Sequence, residues 1–298
     1  MSKRSRSPRR QTAQSNTYRF FVDAGALHGR QVVIEDAELV HQLGTVLRLR
    51  AGEQVLLLDN SGWQYIVALD SIERDRISGT VERKQLAGGE PRTKLTLYVA
   101  LLRAERFEWV LQKGTELGVS AFVPLICERS TVADADELGE RKLERWHRIV
   151  REAAEQSRRG KLPRLAPPLF FPAACDQAVR RGQALLLWEG AGAPSLRQVL
   201  RGSSPPAGSQ ELKTADGGSP TAQRSGDPPS AIRLPRSSAN PFSIALFSGP
   251  EGGFATGEFE TALRYGMIAV TLGPRTLRAE TAPLVAAAAI FYEMGDLE

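Results

Sequence analysis

The sequence predicts an α/β protein in two domains, a small β-barrel followed by an open, mostly parallel sheet covered by helices. Three observations predict it. The chain has 298 residues, about two domains at roughly 150 residues each. From residue 18 to about 85, short apolar or alternating runs are separated by turn residues. From residue 94 onward, continuous apolar runs alternate with helical periodicity, the pattern of a sheet buried on both faces. Hydrophobic residues make up 42% and charged residues 24%, so a packed core can form and global disorder is excluded.

Residues 1–17 carry Lys3, Arg4, Arg6, Arg9 and Arg10 spaced by Ser and Pro, and read as a disordered basic tail. The barrel is expected over 18–87. Its strands are Tyr18–Val22, Val32–Ile34, Val55–Leu58 and Tyr65–Leu69. One helix interrupts them, with Asp36 as N-cap and Leu39, Val40, Leu43, Val46 and Leu47 at helical spacing. Gly88-Gly89-Glu90-Pro91 is the linker.

The second domain is expected over 94–298. Strands are predicted at Leu95–Leu102, Phe122–Ile126, Ala184–Trp188, Ile244–Phe247 and Ile268–Leu272. Helices are predicted at Glu105–Leu117, closed by Gly118, and at about Leu138–Arg158, with Leu143, Trp146, Ile149, Val150, Ala153 and Ala154 inward. A further helix runs to Tyr265, capped by Thr256, and the last spans Glu280–Met294. Residues 201–240 hold 5 Gly, 6 Pro and 8 Ser. They read as a disordered insertion between the third and fourth strands, tolerable because loop-closure entropy grows only logarithmically.

Several function classes lose their raw material. Cys127 and Cys175 lack metal or redox spacing and read as buried small hydrophobes. His28, His41 and His147 lie far apart, so neither a zinc site nor a Ser-His-Asp triad is expected. No apolar run approaches the roughly 18 residues that cross a bilayer. The N-terminal stretch lacks an apolar signal core, so the cytoplasm is expected. The net charge of +5 favours a polyanionic partner.

Three segments carry candidate chemistry. Ile244–Phe254 is a buried strand ending in Ser248-Gly249-Pro250-Glu251-Gly252-Gly253. Missing Cβ atoms there let backbone N–H groups approach a ligand, and open α/β sheets bind ligands at strand carboxyl ends. The string matches neither dinucleotide nor P-loop fingerprints. Val270–Ala282 follows another buried strand and carries Gly273, Arg275, Arg278 and Glu280 toward the same edge. Arg145, Arg148 and Arg151, with Arg158, Arg159 and Lys161 beyond them, suit a phosphate track along one helix, although taken alone they suit a solvated helix face better.

Together these residues carry a resemblance. Ser248-Gly-Pro-Glu-Gly-Gly-Phe254, Leu272-Gly273 and Leu277-Arg-Ala-Glu-Thr-Ala282 resemble the signature of the SPOUT (α/β-knot) RNA methyltransferases. More narrowly, they resemble the branch that methylates N3 of a uridine in 16S ribosomal RNA of the small subunit. Arg19-Phe20-Phe21, Val46-Leu47-Arg48 with Gly52, Lys113-Gly-Thr-Glu116-Leu-Gly118 and Glu155-Gln156-Ser157 with Arg159 and Pro163 match further blocks of that branch in order.

The resemblance implies a deep trefoil knot in the C-terminal domain, a PUA-like RNA-binding barrel before it, a homodimer, and no metal or membrane partner. It implies S-adenosylmethionine held by Leu246, Ser248, Gly249, Pro250, Gly252, Gly253, Leu272, Gly273, Leu277, Arg278, Ala279 and Thr281. Glu251 or Glu280 is then the proton acceptor, and a nearby arginine such as Arg278 offsets charge on the base. RNA contacts are expected from Arg19, Arg48, Gln156, Arg159 and Lys161. Ribose 2′-O or guanine-N1 methylation keeps the same fold, and a noncatalytic ribosome-assembly factor would keep only RNA binding.

Overall fold

The structure, a computed structural model, describes residues 18–130, 139–202 and 243–297. The predicted basic tail and nearly all of the predicted insertion lie outside the described residues. The chain divides into two compact units, one ending at Gly88 and one starting at Gly89.

The first unit holds β1 (Arg19–Phe21), β2 (Leu27–His28), β3 (Gln31–Ile34), α1 (Ala37–His41), β4 (Gln54–Leu58), β5 (Trp63–Ile72) and β6 (Ile77–Leu86). The strands form one mixed sheet ordered β1-β4-β5-β6-β3-β2, in which only β1 and β4 run parallel. Alternate residues such as Val55, Leu57, Val67, Leu69 and Ile77 point into a single core closed by Leu39 and Leu43. Asp36 caps α1 by accepting the Leu39 N–H at 3.0 Å. After α1 the backbone widens into a π-turn over Gln42–Val46 and leaves Val46 63% exposed, so Val46 drops out of the predicted apolar stripe while Leu47 still packs on the core. The strand β6 was not named from sequence because only Ile77, Gly79 and Val81 face inward, while Glu82, Arg83 and Lys84 are exposed.

The second unit holds β7 (Lys94–Ala100), α2 (Ala104–Leu117), β8 (Ala121–Ile126), α3 (Glu140–Gln156), β9 (Arg164–Leu165), β10 (Leu169–Phe170), α4 (Phe171–Val179), β11 (Gln183–Leu187), α5 (Leu196–Leu200), β12 (Ser243–Ser248), α6 (Thr256–Arg264), β13 (Ile268–Val270) and α7 (Thr281–Glu293). All its strand pairs are parallel, ordered β10-β8-β7-β12-β11-β13, with β9 also on β8. Strand period two sorts the side chains. Leu95, Leu97, Ile244 and Leu246 join Phe107 and Val110 of α2, Trp146 of α3, and Ile290 and Phe291 of α7 on one face. Tyr98, Ala245 and Phe247 join Phe171 of α4 and Phe259 of α6 on the other. Past α7, the Asp296 carboxylate accepts the Arg92 and Thr93 N–H groups at 2.8 and 3.2 Å, tying the far end of the chain to the start of β7.

The sequence reading missed α4 and α5, both short, and the two-residue edge strands β9 and β10. It also placed the α6 cap one residue late. Ala255 is the N-cap, and Glu258 closes the turn by accepting the Ala255 N–H at 2.9 Å.

Arg159 is a correction to the predicted phosphate track. It is 2% exposed. Its Nε and Nη2 donate to the two Glu90 oxygens at 3.1 and 2.7 Å, and Nη1 donates to the Thr115 and Val119 carbonyls. Glu90 also accepts the Gly160 and Lys161 N–H groups, each at 3.1 Å. With its donors spent inside the fold, this guanidinium is not a phosphate contact. Arg159→Ala should cost about 3–5 kcal/mol of stability, because Glu90 is stranded half-buried. A urea titration checks this; a loss below 1 kcal/mol would contradict it.

Candidate functional site

Because every strand of the second sheet is parallel, the loops after β7, β8, β11, β12 and β13 all emerge at one edge. Here β7 and β12 are neighbours, yet the helices that follow them pack on opposite faces, α2 with the first cluster and α6 with the second. A crevice opens where adjacent strands diverge in this way, and it is the ligand position of open α/β sheets.

β12 ends at Ser248, 1% exposed, and the loop after it runs through Gly249 and the buried Pro250 to Phe254, 5% exposed. A Cβ on Gly249 would sit 3.2 Å from the Phe254 ring, so the loop folds tightly on its own aromatic anchor. Gly253 has φ +68° and Gly273, in the loop after β13, has φ +109°. Both values disfavour any other residue, and at both positions the space a Cβ would take is open. Each loop thus presents bare backbone beside free volume.

Arg106, in the first turn of α2 directly after β7, joins the two loops. Its Nη1 donates to Glu251 Oε1 at 3.1 Å, and its Nε lies 4.0 Å from Glu280 Oε1. Arg278 Nη1 reaches the same Glu280 oxygen at 4.0 Å while its own side chain is 80% exposed. The other Glu280 oxygen, Oε2, is buried and accepts no hydrogen bond from the protein. A buried carboxylate oxygen without a donor is costly, and an incoming N–H or O–H would satisfy it. The two acids therefore differ. Glu251 is committed to Arg106 and belongs to an exposed residue, whereas Glu280 keeps one buried oxygen available. From the loop after β8, Arg129 Nη1 donates to the Gly252 carbonyl at 3.1 Å and fixes the glycine turn from its other side.

The other predicted ligand residues distribute as follows. Leu272, Leu277 and Ala279 are half-buried along the β13–α7 loop, as is Thr281 at the start of α7, and Gly252 is exposed. Leu246 is fully buried in the first core cluster, so its side chain supports the sheet beneath the loops and does not line them. Of the predicted RNA residues, Arg48, Gln156 and Lys161 are exposed, and Arg19 is half-buried with Nη2 on Gln64 Oε1. Arg145 is held by two hydrogen bonds to Glu108 at 2.7 and 2.8 Å. Burial pushes both thiols up, Cys175 to about 12, and Glu258 adds to the effect, so neither is a thiolate nucleophile at neutral pH.

Sequence reasoning missed Arg106 and Arg129. Nothing in spacing links residue 106 to residues 251 and 280. Only the sheet order, with β12 inserted beside β7, brings them together.

This fold and crevice define a class. A family model described as an RNA methyltransferase domain matches residues 89–209 and 222–291. The chain is 34% identical over 275 residues to the ribosomal RNA small subunit methyltransferase E of Synechocystis, covering 92% of this chain and 77% of that protein. It is 30% identical over 256 residues to the protein of the same name from Bacillus subtilis, covering 86% and 88%. The crystal structure of a ribosomal RNA small subunit methyltransferase E from Neisseria gonorrhoeae, bound to S-adenosyl methionine, matches with a TM-score of 0.70 at 29% identity over 93% of this chain and 97% of that one. The chain belongs to the ribosomal RNA small subunit methyltransferase E family.

Proposed function

We propose that this protein is an S-adenosylmethionine-dependent methyltransferase acting on N3 of a specific uridine in 16S ribosomal RNA of the small subunit. The observation that carries the proposal is the cluster in which Arg106 joins both glycine loops beside the unsatisfied Glu280 Oε2. The site fits the donor. Open Cβ positions at Gly253 and Gly273 leave room for close backbone approach to it.

When bound, S-adenosylmethionine supplies a methyl group on an electrophilic sulfonium. The protein's task is to hold, orient and deprotonate. Backbone N–H and C=O groups of 249–253 and 272–281 hold the donor. Glu280 accepts the N3 proton of uracil through Oε2. Arg106 and Arg278 set positive charge near the resulting uracil anion, and Arg106 keeps Glu251 away from that role. N3 lies on the pairing edge, so the base enters unstacked. Arg19, Arg48, Gln156 and Lys161 are retained as RNA contacts.

The same reading includes a PUA-like barrel in the first unit and a deep trefoil knot in the second. The knot is supported by the path of residues 188–196. These pair along the start of the β13–α7 loop, through Leu196 N–H to the Thr271 carbonyl at 3.0 Å and Thr271 N–H to the Pro194 carbonyl at 2.9 Å. The enzyme acts in the cytoplasm, where its substrate is assembled.

It also includes a homodimer. On α7, Val285, Ala289 and Tyr292 form an exposed i, i+4, i+7 stripe, with Tyr292 69% exposed. Beside α7, α2 carries Trp109, 51% exposed. Tyr292→Asp should shift the protein toward monomer in light scattering at micromolar concentration, and an unchanged dimer would remove this face from the interface.

Incorporation of labelled methyl from S-adenosylmethionine into small subunits lacking the modification tests the function. Incorporation is expected. Its absence on subunits and free RNA, with donor binding intact, would require another substrate.

A further inference from the structure

The first unit has a second feature that neither the glycine loops nor the methyl-transfer chemistry uses. Between the Gly29-Arg30 turn and strand β6 lies a cleft of about 410 Å³. That lies within the range of small-ligand sites, roughly 300–1,000 Å³. Its wall carries Arg30, Arg83 and Lys84, with Tyr65 at its base. The one carboxylate among the lining residues, Glu82, accepts from Gln54 Nε2 at 2.7 Å and offsets one of the three cations, so the cleft keeps a net positive charge.

The cleft is also aromatic at its margin. Lys84 Nζ lies 4.8 Å from the Trp63 ring centre and 5.3 Å from that of Tyr65, so one ammonium is shared by two rings. Trp63 is 39% exposed at the start of β5, and its partner across the hairpin, Leu86, is 70% exposed. An exposed tryptophan beside an aromatic-lined, positively charged cleft has no packing purpose for this core. Aromatic faces with interleaved cations are the chemistry that holds single-stranded nucleic acid, with bases stacked and phosphates paired. Leaving the rings apolar and the arginines exposed fits a polyanion with π-faces better than it fits an acidic protein surface.

We infer that this cleft is a single-stranded RNA subsite. A base stacks at Trp63, and the adjoining phosphates sit on Arg30, Arg83 and Lys84. The inference rests on the RNA-substrate reading above. It would give the barrel a grip on flanking RNA separate from the candidates Arg19 and Arg48.

The test uses the full chain and an oligouridylate of about ten nucleotides, followed by fluorescence anisotropy across a salt series. Trp63→Ala should weaken binding about tenfold. Arg30→Ala with Arg83→Ala should lower the salt slope by about 0.7 for each cation removed. Arg30→Lys with Arg83→Lys should restore most of that slope, which a merely structural role would not do. An unchanged circular-dichroism spectrum and thermal transition report that the barrel of each variant is folded, and binding of S-adenosylmethionine reports the second unit. Both variant sets should raise KM for small subunits. Unchanged RNA affinity and slope in variants of a wild type that methylates subunits would overturn the subsite while leaving the enzyme reading intact. Unchanged RNA affinity with a raised subunit KM would assign the cleft to a protein of the subunit and overturn the RNA subsite. A wild type that neither binds RNA nor transfers methyl would sink both readings together.

Discussion

Glu280→Gln should lower methyl transfer by about 10²–10⁴-fold, the range in which a positioned general base contributes, with donor affinity within about threefold of wild type. The reasoning starts from an asymmetry. Glu280 Oε1 faces Arg106 and Arg278 at 4.0 Å each, whereas Oε2 is buried without a donor. Glutamine keeps the shape and fills the same space, but it cannot take a proton. Glu251→Gln removes a hydrogen bond to Arg106 on a more exposed acid and should have a smaller effect on turnover. Single-turnover kinetics with titration of the donor separates the roles. A large loss of donor affinity with normal single-turnover chemistry would make Glu280 a donor ligand, and an equal or larger loss in Glu251→Gln would transfer the base role.

The second large effect is expected at Gly273. Its φ of +109° is one that a β-branched residue does not tolerate, and the volume a Cβ would occupy is open. Gly273→Val forces the loop to another backbone conformation, at about 1–3 kcal/mol of strain, and fills the space assigned to the donor. Together these should weaken donor binding by about a hundredfold or more, near 2.8 kcal/mol. Gly253→Trp in the other loop should give the same phenotype by occlusion. Isothermal titration measures both. Wild-type donor affinity in either variant would move the donor site away from that loop.

Much of this architecture is legible in the sequence because it depends on local periodicity. The runs at 122–126 and 244–247 are apolar on both faces and became central parallel strands. The glycine loops are legible for the same reason, since a buried strand that stops at clustered glycines can only turn there. What is not legible depends on sheet order. The insertion of β12 between β7 and β11 sets Arg106 against residues about 145 and 174 positions away in sequence, and no period encodes that. The same limit explains the misreading of Arg159. A basic cluster at a helix end has the composition of a phosphate track, and only its approach to Glu90 and two carbonyls reveals an internal strut. Strand β6 escaped because a half-buried strand with a charged outer face resembles a polar loop.

The most direct test of the central claim is nucleoside mass spectrometry on 16S RNA from small subunits lacking the modification, incubated with the protein and labelled S-adenosylmethionine. The predicted result is a single labelled 3-methyluridine, absent with Glu280→Gln and with Gly273→Val. A labelled 2′-O-methyl nucleoside or 1-methylguanosine would keep the fold and the donor loops but contradict the N3 chemistry assigned to Glu280. No labelled nucleoside and no donor binding would contradict the enzyme assignment itself.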